Sequence, residues 1–591
     1  MSSTNPPAGP GGPEYLEQGS GSPVGPSKLS DAGRRSAIVA GGIVAGLALV
    51  GVAAYGAWSW FAQGAQPAEA LPDSTLAYAS VDLDPSGEQK IEAIKILKKF
   101  PAFNDEINLD TDDDIRKKMF DEFNLGEQCE GGLNYADDIE PWLGDRAAIA
   151  AVDAGGEQPD VAFVVQVKDA DAAEDGLSKI AQCDGESGEN AGWSIEGEWA
   201  VLAETDKIAA GIAEDAAESP LSDDEDYQKW TDEVGDPGVV NLYAAPEAGK
   251  FLADAMDSAF GMGMMAEDFA SSSSGALEED PFASSTTEFE FSDETDTDFD
   301  DEFGESPDDL GDLDDLPDEL SGPGAPEELR KLFEDFEGAA MTLRFDDGAV
   351  EMELAGDAAI TQQGVSMSDQ GDDVLATLPE DTAFAMGVGL SEGWFGEYLD
   401  QIERLMGTEG GDVDEFLELA ESETGLSFPE DIETLLGEST AISIGPDIDP
   451  EEFVNSDTPE GLPIGVKIQG DPEAIEDVLD KIRAQMGDQS DILVTESEGD
   501  EIAIGADEGY VSDILEDGNL GDSEVFQNVV REAEKATSVV FVNFDAGDGW
   551  LVELAGEDKE AADNLEPLQG IGMSAWIEDG ASHVVVRMST N

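Results

Sequence analysis

Five short motifs recur along this chain in one order, at an offset of about 300 residues, and this recurrence constrains the fold more than anything else in the sequence. Leu71-Pro72-Asp73-Ser74-Thr75 returns as Leu378-Pro379-Glu380-Asp381-Thr382. The segment GLNYADDIEPWLGD from Gly132 to Asp145 returns as GLSFPEDIETLLGE from Gly425 to Glu438, with 7 of 14 positions identical. Gly132, Leu133, Asp138, Ile139, Glu140 and Gly144 thus have the partners Gly425, Leu426, Asp431, Ile432, Glu433 and Gly437. DADAAEDGLSKI, ending at Ile180, matches DPEAIEDVLDKI, ending at Ile482. LSDDEDYQ from Leu221 answers LGDSEVFQ from Leu520, and Val239-Val240 answers Val539-Val540. A chain with these landmarks is expected to hold two copies of one domain.

Each copy alternates strand and helix patterns. Thr75–Leu83, Arg146–Val152, Val161–Val167 and Trp199–Ala203 have strand length and apolar or alternating character. Gln89–Phe100 places Ile91, Ile94, Leu97 and Phe100 at helical spacing, with lysines elsewhere, as a surface helix does. Neighbouring strands joined by short loops indicate antiparallel pairing and an α+β class. Each copy closes on a hairpin, MTLRFDDGAVEMEL around Asp347-Gly348 and SAWIEDGASHVVVRM around Asp579-Gly580. These hairpins are closer together than the other landmarks, so the first copy carries an insertion. Residues 264–327 supply it: 22 acids fall between Met264 and Leu320, punctuated by Phe269, Phe282, Phe289, Phe291, Phe299 and Phe303. So many like charges read as a disordered acidic loop.

Ala37 to Ala62 is uncharged and apolar, and as a helix it spans roughly 39 Å, enough to cross a bilayer. Lys28, Arg34 and Arg35 precede it and the next basic residue is Lys90, which leaves the N-terminus in the cytoplasm and the rest outside. Tyr55, Trp58, Trp60 and Phe61 crowd the far end at headgroup level. The expected organisation is a disordered cytoplasmic tail (1–36), a transmembrane helix (37–62), a first α+β copy (70–360) and a second (370–591). The rival is a cleaved signal peptide, with Ala68-Glu69-Ala70 as a small-x-small site and Arg34-Arg35 as an export signal. Gly42-x-x-x-Gly46 is a weak pointer to packing between spans.

The opening LPDSTLAYASVDLDPSGEQKIEAIKILKKFP after a single span, followed by the GL-x-aromatic-x-x-DIEPWLGD block, resembles a group of single-pass bacterial envelope proteins known as a domain of unknown function. The resemblance extends to both copies and implies an envelope location. It implies no activity, substrate or cofactor.

Candidate chemistry is sparse. His583 is the single histidine, set beside Val584, Val585 and Val586 in the last expected strand, so it reads as structural; a triad would have only this one base, and a histidine-rich zinc site lacks its ligands. Cys129 and Cys183 are the two cysteines and, outside the cell, are expected to form a disulfide closing a loop of about 55 residues. Asp138 with Glu140, repeated as Asp431 with Glu433, is a tempting acid-base pair, but acids at the start of a short helix that Gly144 and Gly437 terminate are better explained structurally. Asp110 to Asp114 with Asp121 imitates a calcium loop yet lacks its glycine and bidentate glutamate. Gly387-Val388-Gly389 imitates a nucleotide loop that the first copy does not repeat. The basic island from Lys90 to Lys118 carries as many acids as bases. A net charge of -111 excludes nucleic acid and leaves weak, nonspecific cation association. The expected partners are therefore a lipid bilayer, through one helix, and an envelope protein or cell-wall component. No cofactor or metal is expected. The reading is a non-enzymatic binding or structural module of the envelope; the alternative is a carboxylate-dependent cell-wall hydrolase.

Overall fold

The computed structural model describes residues 66–82, 88–106, 114–122, 132–183, 192–253, 331–358, 366–406, 413–446, 462–486 and 493–591, apart from isolated positions within these ranges. The expected span and its Tyr55, Trp58, Trp60 and Phe61 lie outside them, as do the acidic insertion and Cys129. Among the described residues no helix is long and apolar enough to cross a membrane.

The first half contributes strands β1 (Thr75–Asp82), β2 (Leu143–Val152), β3 (Asp160–Val167), β4 (Gly192–Glu196), β5 (Trp199–Ala203), β6 (Val240–Ala244), β7 (Ala339–Asp346) and β8 (Ala349–Asp357). The second contributes β9 (Phe384–Gly389), β10 (Ser439–Ile444), β11 (Ile464–Gln469), β12 (Val494–Glu498), β13 (Glu501–Gly505), β14 (Ser538–Asn543), β15 (Leu568–Glu578) and β16 (Ala581–Thr590). Helices α1 (Glu88–Leu97), α2 (Pro101–Glu106), α3 (Ile115–Glu122), α4 (Ala170–Cys183), α5 (Asp206–Glu218) and α6 (Glu225–Glu233) belong to the first half. In the second lie α7 (Trp394–Met406), α8 (Val413–Thr424), α9 (Glu430–Leu436), α10 (Pro472–Met486), α11 (Glu508–Leu515), α12 (Glu524–Val529), α13 (Trp550–Leu554) and α14 (Lys559–Leu565).

All sixteen strands among the described residues form one antiparallel sheet, which makes the described fold α+β. From one edge the order is β4-β5-β3-β2-β1-β6-β7-β8, and from the other β12-β13-β11-β10-β9-β14-β15-β16, the same path in each half. The halves meet where β16 pairs with β8, from Ala581 opposite Asp357 to Ser589 opposite Ala349. A strongly twisted open sheet rarely grows past about ten strands. Here the width is reached by joining two eight-stranded units edge to edge.

The recurring motifs meet one another in space, which explains why they recur together. The Leu221 amide donates to the Leu71 carbonyl, and in the second half Leu520 donates to Leu378. Thr75 and Thr382 each donate a side-chain hydroxyl to the proline carbonyl three residues back, at 2.7 and 2.8 Å. Asp224 caps α6 through the Tyr227 amide, and Ser523 caps α12 through Phe526. Both closing hairpins use paired positive φ angles, 48° and 80° at Asp347-Gly348 and 50° and 91° at Asp579-Gly580, the turn that matches strand twist.

The helix Glu88–Leu97 is where the expected residues and the buried ones part. Ile91 is 42 % exposed, whereas Ala93, Ile94 and Ile96 are buried. Ala93 and Ile96 pack on Val240 and Phe345. The face that packs is set by two strands far along the chain, not by the most regular apolar spacing.

Candidate functional site

The sheet has two unlike faces. On one, Tyr78, Ala148, Val164 and Val201 are covered by Ile212 and Ala213 of α5 and Trp230 of α6. In the second half Ala385, Ala441, Val539 and Phe541 meet α11 and α12 on the same face. On the opposite face two long helices lie over the flanks, and Lys99, just beyond α1, donates to Thr590 at the end of β16. Ala173, Leu177 and Ile180 of α4 lie over Ala147, Val165 and Ala200, while Ile475 and Leu479 of α10 lie over Ile468, Ile502 and Ile504. Between these flanks α1 reaches β6 and β7.

Following cross-strand partners over that opposite face gives one row through every strand. It begins Ile195, Ala200, Val165, Ala147, Val81, Val240. It continues Leu343, Met352, Val586, Met573, Val540. It ends Met386, Ile442, Val466, Ile504, Thr495. Only the last position is polar. The stretch from Met352 to Ile442 is half-buried or open, with Met386 40 % and Ile442 37 % exposed. Beside it run Val350, Met588, Ile571, Val542, Phe384 and Ile444, and on the other side Leu354, Val584, Ala575, Ser538, Val388 and Thr440. These three rows over six strands hold no charge, in a chain with 28% charged residues. Exposed apolar residues in so continuous an array are uncommon on a folded domain.

The packed face carries charge at the joint between the halves. Arg587 on β16 is 2 % exposed and donates to Glu351 of β8 and, at 3.0 Å, to Asp346. Arg531 reaches the same two carboxylates at 3.0 and 2.8 Å. Arg344 pairs with Glu351 and Glu353. Burial pushes the Glu351 carboxyl up, but Arg344, Arg531 and Arg587 together hold it below the ordinary range. At Glu353 burial prevails and the carboxyl is raised. The hairpin positions taken by Arg344 opposite Glu351 are taken in the second half by Trp576 opposite His583, whose rings stack with centroids 5.0 Å apart. His583 is buried, and burial lowers its pKa despite Glu233, whose Oε2 lies 3.6 Å from Nε2. It is a packed aromatic, outside any catalytic geometry.

The repeated block is a clamp. Asp138 accepts from the Asn134 amide at 2.9 Å and from Lys179 of α4. Asp431 accepts from the Ser427 amide at 2.7 Å and from Lys481 of α10 at 2.7 and 2.6 Å. The lysine bond and the amide hold Asp138 below the usual carboxylate range, and the same pair at Asp431 outweighs its burial. Asp138 lies on the π-helical turn Tyr135–Ile139, Asp431 on α9. Glu140 is exposed beyond that turn, and Glu433 accepts from the Gly396 amide at 3.4 Å. Each aspartate thus fastens a short helix to a long one, and its neighbouring glutamate faces elsewhere. Leu133 and Ile139 are buried beneath the first clamp, Leu426 and Ile432 half-buried beneath the second. Gly132 and Gly425 share a φ of 70°. At Gly144 and Gly437 a β-carbon would stand 2.5 Å from the Gln166 side chain and 2.2 Å from the Gln469 carbonyl oxygen, so a strand passes too close for any side chain.

The other sequence candidates resolve into packing. Gly387 and Gly389 face the backbone of Gly371 and Ser368, with a would-be β-carbon 2.2 and 2.7 Å away, which accounts for the nucleotide-like spacing. Asp114 holds Arg116 and accepts from the Tyr135 hydroxyl, and Asp121 pairs with Lys117; the rest of the calcium-like segment lies outside the described residues. Among the described residues no cluster of three or more His, Cys, Asp or Glu groups suits a metal ion. Cys183 ends α4, but its proposed partner Cys129 and its own side chain are outside the described residues. Sequence reading missed both the open apolar rows and the arginine joint. The signal for the first was present in MTLRFDDGAVEMEL, where Met341, Leu343 and Phe345, then Val350, Met352 and Leu354, put apolar residues on alternate positions.

A family model for a protein of unknown function (DUF3352) matches residues 38–197, from within the apolar run through β4. No curated protein and no solved structure matches the chain. Over that stretch the chain is similar to an uncharacterised family.

Proposed function

We propose that this chain is a non-catalytic binding module of the cell envelope, held at the membrane by residues 37–62 with both halves outside, and that it binds through the open apolar face of its sheet. The two halves are read as copies of one ancestral unit, on the shared strand path and the repeated Asp–Lys clamps. The observation that carries the binding role is the uncharged triple row from β8 to β10 on a chain of net charge -111. Retention of the anchor is favoured by the position of Ala68 and Ala70. Both are buried with Leu71 in the core, and cleavage after Ala70 would remove two residues that the fold uses.

A disulfide between Cys129 and Cys183 is also part of this reading. The matching residues of the second half, Ser422 and Gln485, sit on α8 and α10, and a β-carbon on Gly425 would lie 3.2 Å from the Gln485 amide nitrogen.

The test is a photo-activated cross-linking residue at Met573 in the full chain, in living cells, with the same residue at exposed Ile91 as comparison. Adducts at 573 and not at 91 are expected. Absence of any adduct at 573 removes the binding role; external protease on intact cells should digest both halves, and halves left untouched remove the topology.

A further inference from the structure

We infer that the open apolar rows form a trough for the acyl chains of a neutral or zwitterionic lipid, an inference that rests on the binding role above. The floor is defined by Met352, Val586, Met573, Val540, Met386 and Ile442, one from each of six adjacent strands. Five spacings of ~4.8 Å make it about 24 Å long, and the flanking rows, two residues away along each strand, lie ~6.6 Å to either side. One leaflet of a ~30 Å hydrocarbon core is about 15 Å deep, so an extended chain fits within the length and a second fits beside it.

The chemistry of the floor narrows the occupant. Every central strand is already paired on both sides, so no backbone donor or acceptor is left for an added peptide strand, which only the edges β4 and β12 can receive. A peptide laid across the floor would bury its own amides against aliphatic side chains without partners. An acyl chain has no such groups. Met341, Met352, Met386, Met573 and Met588, five of the chain's 14 methionines, lie on this face, and their unbranched, polarizable side chains adapt to a chain of variable shape.

Charge and walls argue against a second copy of the protein. Two bodies of net charge -111 repel, and α4 and α10 stand on the same face at either end, so two flat floors cannot close on each other. The same charge disfavours an anionic headgroup.

The test titrates the detergent-purified full chain with phosphatidylethanolamine carrying a pyrene-labelled acyl chain, and with the phosphatidylglycerol analogue. Saturable pyrene binding is expected, weaker for the anionic lipid. Met386→Glu with Met573→Glu should weaken it at least tenfold with an unchanged thermal midpoint, while Ile91→Glu, at an equally exposed residue off the trough, should leave it unaltered. No saturable binding, or equal binding by the double variant, overturns the proposal. Should cross-links from position 573 instead yield only a protein adduct, or a dimer, the lipid assignment fails and the binding role stands; no adduct at all removes both.

Discussion

Gly437 carries two demands at one atom. Its φ of 58° lies in the left-handed region, and a β-carbon would sit 2.2 Å from the Gln469 carbonyl oxygen. Gly437→Ala is therefore expected to cost roughly 3 kcal/mol or more of unfolding free energy in urea. At Gly132, with φ 70° and open space around it, alanine should cost only about 1 kcal/mol. Equal losses would contradict the close approach assigned to Gly437. Asp372 gives the pH-dependent case. Burial, aided by Asp373, raises its carboxyl to about 6, so its contribution is fully present below about pH 4 and is lost as pH rises through about 6. Asp372→Asn should stabilise the protein at pH 7.5 by on the order of 1 kcal/mol, allowing for solvent screening, and change little at pH 4. A gain that does not grow between these pH values would show that Asp372 is not the group responsible. The helix stop read from the sequence holds at Gly437, which caps α9, but not at Gly144, which lies inside β2. Gly144 is needed for space alone and Gly437 for space and conformation, and neither a neighbouring strand nor a φ angle is written in the local sequence.

Elements were the most legible level. The strands expected at Thr75, Val161 and Trp199 appear within a residue or so of those bounds, because alternation with β-branched residues is a local signal. Both hairpins turn at their Asp-Gly pairs, since that dipeptide tolerates positive φ twice in succession. The helix at Glu88 was legible as a helix, but its packed face was not, since Val240 and Phe345 decide it from about 150 and 250 residues away. The clamp between the Gly132 block and α4 leads to a prediction at the same scale. If Cys129 and Cys183 are joined, reduction should loosen α4 and lower stability by roughly 4 kcal/mol or less, with no free thiol titratable in the unreduced, denatured chain. A full two equivalents of thiol in that state would exclude the bond.

At the scale of the molecule the halves are equivalent in path and unlike in detail, and the difference is concentrated at their junction. Trp576 opposite His583 replaces Arg344 opposite Glu351, and Arg587 of the second half completes a charge network whose acids belong to the first. Nothing in the recurring motifs revealed this, because they report what the two halves share, whereas a joint depends on what each has alone. Arg587→Ala leaves Glu351 buried beside two remaining arginines and should destabilise the protein by about 3 kcal/mol or more, with one cooperative unfolding transition lost or broadened. An unchanged transition would mean that the network contributes nothing to union of the halves. The apolar trough crosses the same junction, since β8 comes from one half and β16 from the other. Amide hydrogen exchange along β16 tests this most directly, because alternate amides face β8 and β15. The sheet described here predicts both sets slow and equally protected from Ala581 to Ser589; if the amides turned toward β8 exchange as those of an exposed edge do, the continuous sheet and the trough built on it are wrong.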